Sequence, residues 1–395
     1  MDKELAHLIK KEVDKLHPET VEHYRYLHRR PELSFHEKNT SEYVVSVLKN
    51  MGVGFRDKIG GFGVLAWIKG RNPEGKTIAL RADMDALPIT EANDVEYKSE
   101  NDGVMHACGH DSHTASLLSV VKIINGMKDR LDGTVLFVFQ PGEEKHPGGA
   151  RLMLEDGVFD ELKPDVMVGQ HVYVDYPVGT VGFQDGVIMA SADEVHLKIK
   201  GKGGHGALPH LLNDTVLAAS QVVVAMQQVV SRRSNPFKPM VLSFGKFIAD
   251  GATNVIPDEV VLAGTLRCMD EDERMKAKNI IVEIAKNTAL AYGCECEIDV
   301  YDGYPCTYND EGVTALMKQF AIEFLGDEKV AGLPKRMTSE DFGFFSQVYP
   351  STFYRFGVVG AQNCTGLHTS TFLIDEDSLK TSVGTMVYLA LKYCS

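Results

Sequence analysis

The sequence EVHLKIK, residues 194–200, alternates apolar and polar side chains along its whole length. Such alternation is typical of a strand with one buried face. Beyond it, the sequence predicts a helix over 214–232, strands over 239–248 and 258–267, a helix over 271–291 and a strand over 295–301. This β-α-β-β-α-β order is that of a ferredoxin-like unit. Residues 187–303 are therefore expected to form a small separate domain.

Strands and helices also alternate on both sides of this unit. Before it, the pattern predicts helices over 3–30, 37–51 and 111–128, and strands over 62–68, 77–82, 135–139 and 166–169. Pro18 is expected to break the first helix. The alternation resumes from residue 311 and predicts an α/β fold with a central, mostly parallel (mixed) sheet flanked by helices. Residues 1–186 and 304–395 are therefore expected to form one discontinuous domain, with 187–303 inserted in it.

The composition excludes several classes of partner. The net charge of the 395 residues is −14, which argues against nucleic acid and anionic membranes, since both require a basic surface. The sequence has no run of 18 apolar residues, and its charged N-terminal region does not look like a secretory signal. The seven cysteines are odd in number and do not suggest a disulfide framework. We therefore expect a cytoplasmic protein.

Metal-capable side chains are concentrated in the sequence HACGHDSH, residues 106–113. Cysteine and histidine at this density match the ligands of zinc and related transition metals. The alternative is a polar loop in which Asp111 caps the following helix. His106 and His113 are expected to support ligands or to cap the helix rather than to bind metal themselves.

Two further clusters follow predicted strands. Glu143 and Glu144 come directly after the strand 135–139 and its Gln-Pro-Gly turn, and His171 follows the strand 166–169. Adjacent carboxylates repel each other unless they share a cation. Successive side chains in an extended loop point in different directions, so one can hold metal while the other faces a water, as a ligand and a general base would. A solvated acidic turn is the alternative. Open α/β sheets assemble their sites at the carboxyl ends of strands, which favours a site here.

Taken together, these side chains are more than one structural zinc requires and suit two adjacent ions. The candidate ligands are Cys108, His110, Glu144, His171 and His368, the last from the segment GLHT (366–369) that follows a predicted strand over 352–359. Asp83 and Asp85 end the strand 77–82 and could orient the ligands.

In these residues and in the segments around them, the chain resembles the M20 metallopeptidase family, in particular its aminoacylase, hippurate hydrolase and auxin-conjugate amidohydrolase branch. The resemblance keeps the order of its motifs over nearly the whole chain. The matching segments are 27–34 (LHRRPELS), 80–89 (LRADMDALPI), 105–111 (MHACGHD), 140–144 (QPGEE), 203–210 (GGHGALPH), 254–257 (NVIP), 339–342 (SEDF) and 367–369 (LHT).

The resemblance implies a role for each candidate residue. It implies that the five candidate ligands bind the metal, that Glu143 is the general base and that Asp85 tunes a ligand or the base. His205 matches a histidine of the inserted domain, a lid, that reaches the substrate, in many members across a dimer interface. Asn254 and Arg267 match lid positions near the substrate carboxylate or carbonyl. One departure is the bulkier sequence KHPGG at 145–149, where relatives often carry glycines.

The function implied is a metal-dependent amidohydrolase or peptidase that cleaves small N-acyl amino acids or short peptides. Two divalent ions are expected, zinc or manganese, with cobalt or nickel as alternatives. The partners expected are that substrate and a second copy joined through the lid domain, with no nucleic acid and no membrane. One rival is a metal-independent hydrolase with Cys108 as nucleophile. The other is an inactive small-molecule binding protein on the same fold.

Overall fold

The computed structural model describes residues 3–360 and 365–395. Cys364, expected to be an ordinary thiol, lies outside these residues. No helix in the described part of the chain is long and apolar enough to cross a bilayer.

The bounds of the regular elements are as follows. The helices are α1 (Lys3–Arg29), α2 (Lys38–Asn50), α3 (His110–Gly126), α4 (Gly149–Glu155), α5 (Thr215–Gln228), α6 (Glu271–Ala291), α7 (Glu311–Leu325), α8 (Phe342–Ser346) and α9 (Ser378–Tyr393). The strands are β1 (Gly54–Ile59), β2 (Gly63–Lys69), β3 (Lys76–Asp83), β4 (Gly133–Gln140), β5 (Val166–Pro177), β6 (Val181–Phe183), β7 (Gly186–Met189), β8 (Ala192–Lys200), β9 (Gly204–His205), β10 (Met240–Ile248), β11 (Val255–Ile256), β12 (Glu259–Cys268), β13 (Glu295–Tyr304), β14 (Thr307–Asn309), β15 (Val330–Gly332) and β16 (Ser351–Val359).

The chain divides into two compact units. The first comprises Met1–Gly186, Tyr308–Pro334 and Phe344–Ser395, and the second comprises Val187–Thr307 and Lys335–Gly343. The second unit thus contains Lys335–Gly343, a segment assigned to the large domain from the sequence.

The first unit contains a mixed sheet of eight strands among the described residues, in the order β1-β2-β4-β3-β5-β16-β6-β15. Its central strands β4, β3, β5 and β16 are mutually parallel, whereas β1 and β2 run antiparallel at one edge. Every residue of β4 is buried, as expected for a strand covered on both faces. The predicted α/β fold with a mostly parallel sheet is confirmed.

The second unit contains a four-stranded antiparallel sheet, β10-β12-β8-β13, with α5 and α6 packed in its apolar core. Its elements follow the predicted order β-α-β-β-α-β along the chain. In β8, Val195, Leu197 and Ile199 are at most 1 % exposed, whereas the residues between them are exposed. The alternation in the sequence therefore marks the two faces of this strand correctly.

Helix α1 continues through Pro18, so the predicted break is wrong. A proline inside a helix costs about 3 kcal/mol, since it removes a hydrogen bond and clashes with the preceding turn. Here Ile9, Val13 and Tyr24 are buried on both sides of it, and Thr20 Oγ1 lies 2.8 Å from Ser119 Oγ of α3. Packing against the rest of the unit offsets the cost.

Candidate metal centre

Three neighbouring central strands, β4, β3 and β5, bring candidate side chains together toward the carboxyl ends of β3 and β4. Asp83 ends β3, and the pair Glu143 and Glu144 follows the end of β4. His171 lies within β5, because this strand runs on to Pro177 rather than ending at residue 169 as predicted. Since β3, β4 and β5 are parallel neighbours, their polar residues meet where such sheets assemble binding sites.

The loop before α3 supplies Cys108 and His110 from either side of a glycine. Gly109 has φ of +84°, a left-handed conformation that glycine adopts at little cost. A Cβ atom at this position would lie 2.9 Å from both methyl carbons of Val172. Glycine therefore allows the loop to pass close against β5.

The candidate ligands form overlapping groups. The donor atoms of Cys108, His110 and His171 lie within 4.8 Å of one another, and so do those of Cys108, Glu144 and His368. Cys108 Sγ is 3.4 Å from His171 Nε2, and His368 Nε2 is 3.2 Å from Glu144 Oε1. Two groups of three donors thus share one thiol, an arrangement that suits two adjacent cations.

Main-chain carbonyls orient two of the imidazole rings. His110 Nδ1 lies 3.0 Å from the carbonyl oxygen of Asp85, and His171 Nδ1 lies 2.9 Å from that of Val172. Since a carbonyl can only accept, each Nδ1 carries the proton in the neutral ring, which leaves Nε2 with its lone pair. This is the tautomer in which Nε2 binds a metal, with the other nitrogen held by a hydrogen bond.

Two buried polar atoms at the centre of the groups make no hydrogen bond with the described residues: His110 Nε2 and Glu144 Oε1. They are 3.9 Å apart. Burial opposes a charge on His110, yet the nearby Asp83 carboxylate raises its pKa well above the ordinary value. The anionic surroundings therefore favour positive charge here. Nitrogen, sulfur and carboxylate donors fit a divalent transition metal, so the residues present suit the expected ions.

Asp85 holds two parts of the centre together. Its Oδ2 accepts hydrogen bonds from Ser34 Oγ (2.6 Å) and from the Glu144 backbone amide (2.9 Å), and its Oδ1 lies 3.2 Å from His110 Nδ1. Burial raises the pKa of this carboxyl, but the hydrogen bond from His110 and the other contacts lower it below its usual range. Asp85 is therefore a buried anion that fixes a ring and a loop.

Asp83 and His113 form a second supporting pair. His113 Nδ1 lies 2.6 Å from Asp83 Oδ1, while His113 Nε2 accepts from the Val172 backbone amide at 3.0 Å. The other oxygen of Asp83 accepts from Arg81 at 2.6 Å. His113 thus ties the end of β3 to the residue that follows His171, in keeping with a supporting role.

His368 approaches from the C-terminal part of the chain. Its backbone amide donates to the carbonyl of Ala107 at 2.8 Å, which anchors it beside Cys108. Its φ is +59°, unusual for a residue other than glycine. Such strain is often found at functional sites, where the surrounding structure imposes it.

The surroundings of Cys108 bear on the rival cysteine mechanism. Burial, followed by the negative charge of Glu144, raises the pKa of the Cys108 thiol. Reactive cysteines usually have a lowered pKa, because the thiolate is the nucleophile. The raised pKa therefore favours the neutral thiol of Cys108 over the thiolate.

Three candidate substrate residues belong to the second unit. His205 and Asn254 are exposed and lie on neighbouring segments, because the Gly206 amide donates to the Asn254 carbonyl at 2.8 Å. His205 Nδ1 accepts from the Ala207 amide at 3.1 Å, so the neutral ring carries its proton on Nε2. Arg267 lies in the four-stranded sheet.

Arg267 is half-buried, and its Nε and Nη1 donate to Thr265 Oγ1 and Ser339 Oγ. Burial lowers its pKa, but an arginine remains charged at neutral pH. Hydroxyl partners do not neutralise this charge.

Sequence reasoning missed one residue beside the centre. Glu37 accepts a hydrogen bond from the backbone amide of Gly142 at 2.6 Å, in the loop that carries the two glutamates. Its position just before α2 resembles that of an ordinary helix cap, and its partner is 105 residues away. No local pattern could have indicated this contact.

The fold and the site define a hydrolase of the metal-dependent amidohydrolase and peptidase class. The chain belongs to Peptidase family M20/M25/M40, whose model matches residues 79–392. A Bacillus subtilis (strain 168) protein named as an amidohydrolase, YhaA, is 40 % identical over 387 residues, which cover 98 % of this chain and 97 % of that protein.

Two further relatives are informative. The N-acetyl-L-cysteine deacetylase of Bacillus subtilis (strain 168) is 38 % identical over 355 residues, covering 90 % of this chain and 83 % of the relative. The crystal structure of the Bacillus subtilis YXEP protein, described as a dinuclear metal binding peptidase from the M20 family, has a TM-score of 0.83 and 32 % identity, covering 96 % of this chain and 99 % of that one.

Proposed function

We propose that this protein hydrolyses the amide bond of small N-acyl amino acids, with short peptides as the related substrate class. The observation that carries the proposal is that His110 Nε2 and Glu144 Oε1 are buried, make no hydrogen bond with the described residues and lie in two donor groups that share Cys108. Glu144 Oε1 has ion-pair contacts with His368 Nε2 at 3.2 Å and with His110 Nε2 at 3.9 Å. The deacetylase among the relatives supports an N-acyl amino acid as substrate.

In this proposal the ions are held by Cys108, His110, Glu144, His171 and His368. Zinc or manganese suits these donors, with cobalt or nickel as alternatives. When bound, the ions act as Lewis acids toward a water and the amide carbonyl.

Glu143 performs the proton transfers. Glu143 is a buried residue, and its loop is held by the hydrogen bond from the Glu144 amide to Asp85. Glu143 accepts the proton of the attacking water and returns it to the leaving amine, as a positioned general base and acid. Asp85 keeps the His110 ring and the Glu144 backbone in place during these steps.

The lid residues recognise the substrate in this proposal. His205 donates its Nε2 proton to the oxygen that gains negative charge, a contribution that is often large. Arg267 and Asn254 bind the carboxylate or carbonyl of the substrate, since Arg267 keeps its charge. We also propose a cytoplasmic homodimer joined through the lid, in which the partner supplies His205; these remain predictions from the resemblance and the composition.

The first experiment measures amine release from a panel of N-acyl amino acids and dipeptides before and after chelation, with zinc or manganese added back. Activity that is lost on chelation and restored by metal is the expected result. Activity that survives chelation would overturn the metal mechanism and favour Cys108 as nucleophile.

Paired variants separate the two glutamates. Glu143→Ala is expected to abolish turnover while bound metal stays near the wild-type level, whereas Glu144→Ala should lose metal, because only Glu144 lies in a donor group with Cys108. Metal content by mass spectrometry is measured beside activity. Loss of metal in Glu143→Ala with retention in Glu144→Ala would show that the two roles are reversed.

A further inference from the structure

Glu37 is the residue before α2, but its side chain makes no hydrogen bond that caps the helix. The capping carboxylate is that of Glu32, which accepts from the backbone amide and the hydroxyl of Thr40 at 2.8 and 2.9 Å. Glu37 instead accepts from the amide of Gly142 at 2.6 Å. Its carboxyl group therefore serves the glutamate loop rather than its own helix.

The Glu37 side chain is fully buried, and its Oε2 has no hydrogen-bond partner among the described residues. Burial and the negative charge of Asp85 raise the pKa of Glu37 to about 8. Burying a carboxyl group with an unsatisfied oxygen is costly. Because Glu32 already caps the helix, stability of α2 does not account for this cost.

Gly142 has little freedom to move. Its φ is +59°, and a Cβ atom there would lie 2.3 Å from Phe35 Cε1. Its carbonyl accepts from the Gly149 amide at 2.9 Å. With its amide bonded to Glu37, both polar groups of the Gly142 backbone are engaged, so the residue is a fixed point directly before Glu143.

The residue after Glu143 is fixed in the same manner. The Glu144 amide donates to Asp85 Oδ2 at 2.9 Å. The backbone on each side of Glu143 is thus held by a carboxyl group from a distant part of the chain. Such anchoring limits the directions in which the Glu143 side chain can point.

We propose that Glu37 is a positioning residue for Glu143, and that its hydrogen bond to the Gly142 amide sets the geometry of proton transfer. This inference rests on the proposed function, in which Glu143 is the general base. A displacement of about 1 Å in a catalytic group can lower a rate ~100-fold. Loss of the Glu37 bond should therefore affect kcat far more than KM or metal content.

The test compares three variants of the full-length, metal-loaded protein. Glu37→Met keeps the size of the side chain but removes the acceptor, and kcat is expected to fall ~10–100-fold with KM and bound metal nearly unchanged. Glu37→Gln keeps a carbonyl oxygen that can accept from Gly142, and it should restore kcat to within about threefold of wild type, because amide oxygens accept backbone hydrogen bonds. Glu32→Met is the matched control, since it removes the real cap of the same helix; it should lower the melting temperature and leave kcat unchanged.

Hydrogen exchange gives a readout that does not depend on activity. The Gly142 amide should exchange faster in Glu37→Met than in wild type or Glu32→Met, with or without metal, because its acceptor is lost. Wild-type kcat in Glu37→Met would overturn the inference, as would equal losses of kcat in Glu37→Met and Glu32→Met. An inactive wild-type protein would instead refute the proposed function, and exchange at Gly142 would still test the bond.

Discussion

Replacing Gly109 with alanine tests whether the loop between Cys108 and His110 is as tightly constrained as its geometry indicates. A residue with a Cβ atom in the left-handed region costs about 1–2 kcal/mol. The added Cβ would also lie 2.9 Å from both methyl carbons of Val172, and overpacking of this kind costs a further ~1–3 kcal/mol. We therefore expect Gly109→Ala to lower the free energy of unfolding of the metal-free protein by about 2–5 kcal/mol.

The contact with Val172 separates the two contributions. Val172→Ala removes both methyl carbons that the new Cβ would meet, so the double variant should be more stable than the sum of the single variants predicts. The expected coupling is about 1–3 kcal/mol, the steric part of the cost. Urea unfolding of the four proteins without metal measures it.

The same substitution should weaken metal binding. Relief of the clash displaces Val172, whose amide is bonded to His113 and whose carbonyl orients the His171 ring. Single variants that are additive within about 0.5 kcal/mol would refute the steric argument. So would a Gly109→Ala protein with wild-type stability and metal content.

Two further predictions concern buried charge and assembly. Burial opposes the charged form of His28, but hydrogen bonds to Asp111 and Glu91 raise its pKa from 6.5 to about 9. The stability that charged His28 contributes to the folded protein is therefore fully present below pH 6.5 and is lost as the pH rises through about 9. The free energy of unfolding in urea should fall by up to about 3 kcal/mol between pH 7 and 10, and by less in Glu91→Gln; equal losses would contradict the role of this pair. The second prediction concerns His205: Glu143→Ala and His205→Ala chains are unfolded, mixed and refolded together. If the partner supplies His205, the mixed dimers should regain activity. Inactive mixed dimers would place both residues in one protomer.

The sequence predicts correctly the helices and strands that are determined by residues within them or directly beside them. The sequence predicts helix α6 over 271–291, and the helix spans Glu271–Ala291. Asp270 caps its first turn, because its side chain accepts a hydrogen bond from the Glu273 amide at 3.0 Å. Strand β8 could be recognised because one face is buried and the other is exposed. In both cases the residues that determine the element lie within it or next to it.

Features that depend on distant residues could not be predicted. The helix break at Pro18 was wrong because packing partners far along the chain hold α1 together. Strand β5 extends past His171 because β16, almost 200 residues later, pairs with it as far as Pro177. The glutamate pair could be recognised as a candidate site from its place after a strand, but the bond from Glu37 to its loop could not.

The position of β16 in the large sheet has a consequence for synthesis of the protein. This strand, Ser351–Val359, lies between β5 and β6, so it completes the middle of a sheet whose other central strands precede residue 178. While the nascent chain emerges, β5 is an open edge with unpaired backbone groups, and such edges readily pair with other chains. The strand that carries His171 therefore keeps one unpaired edge until residues 351–359 have been made, and aggregation through this edge is most favoured during that interval.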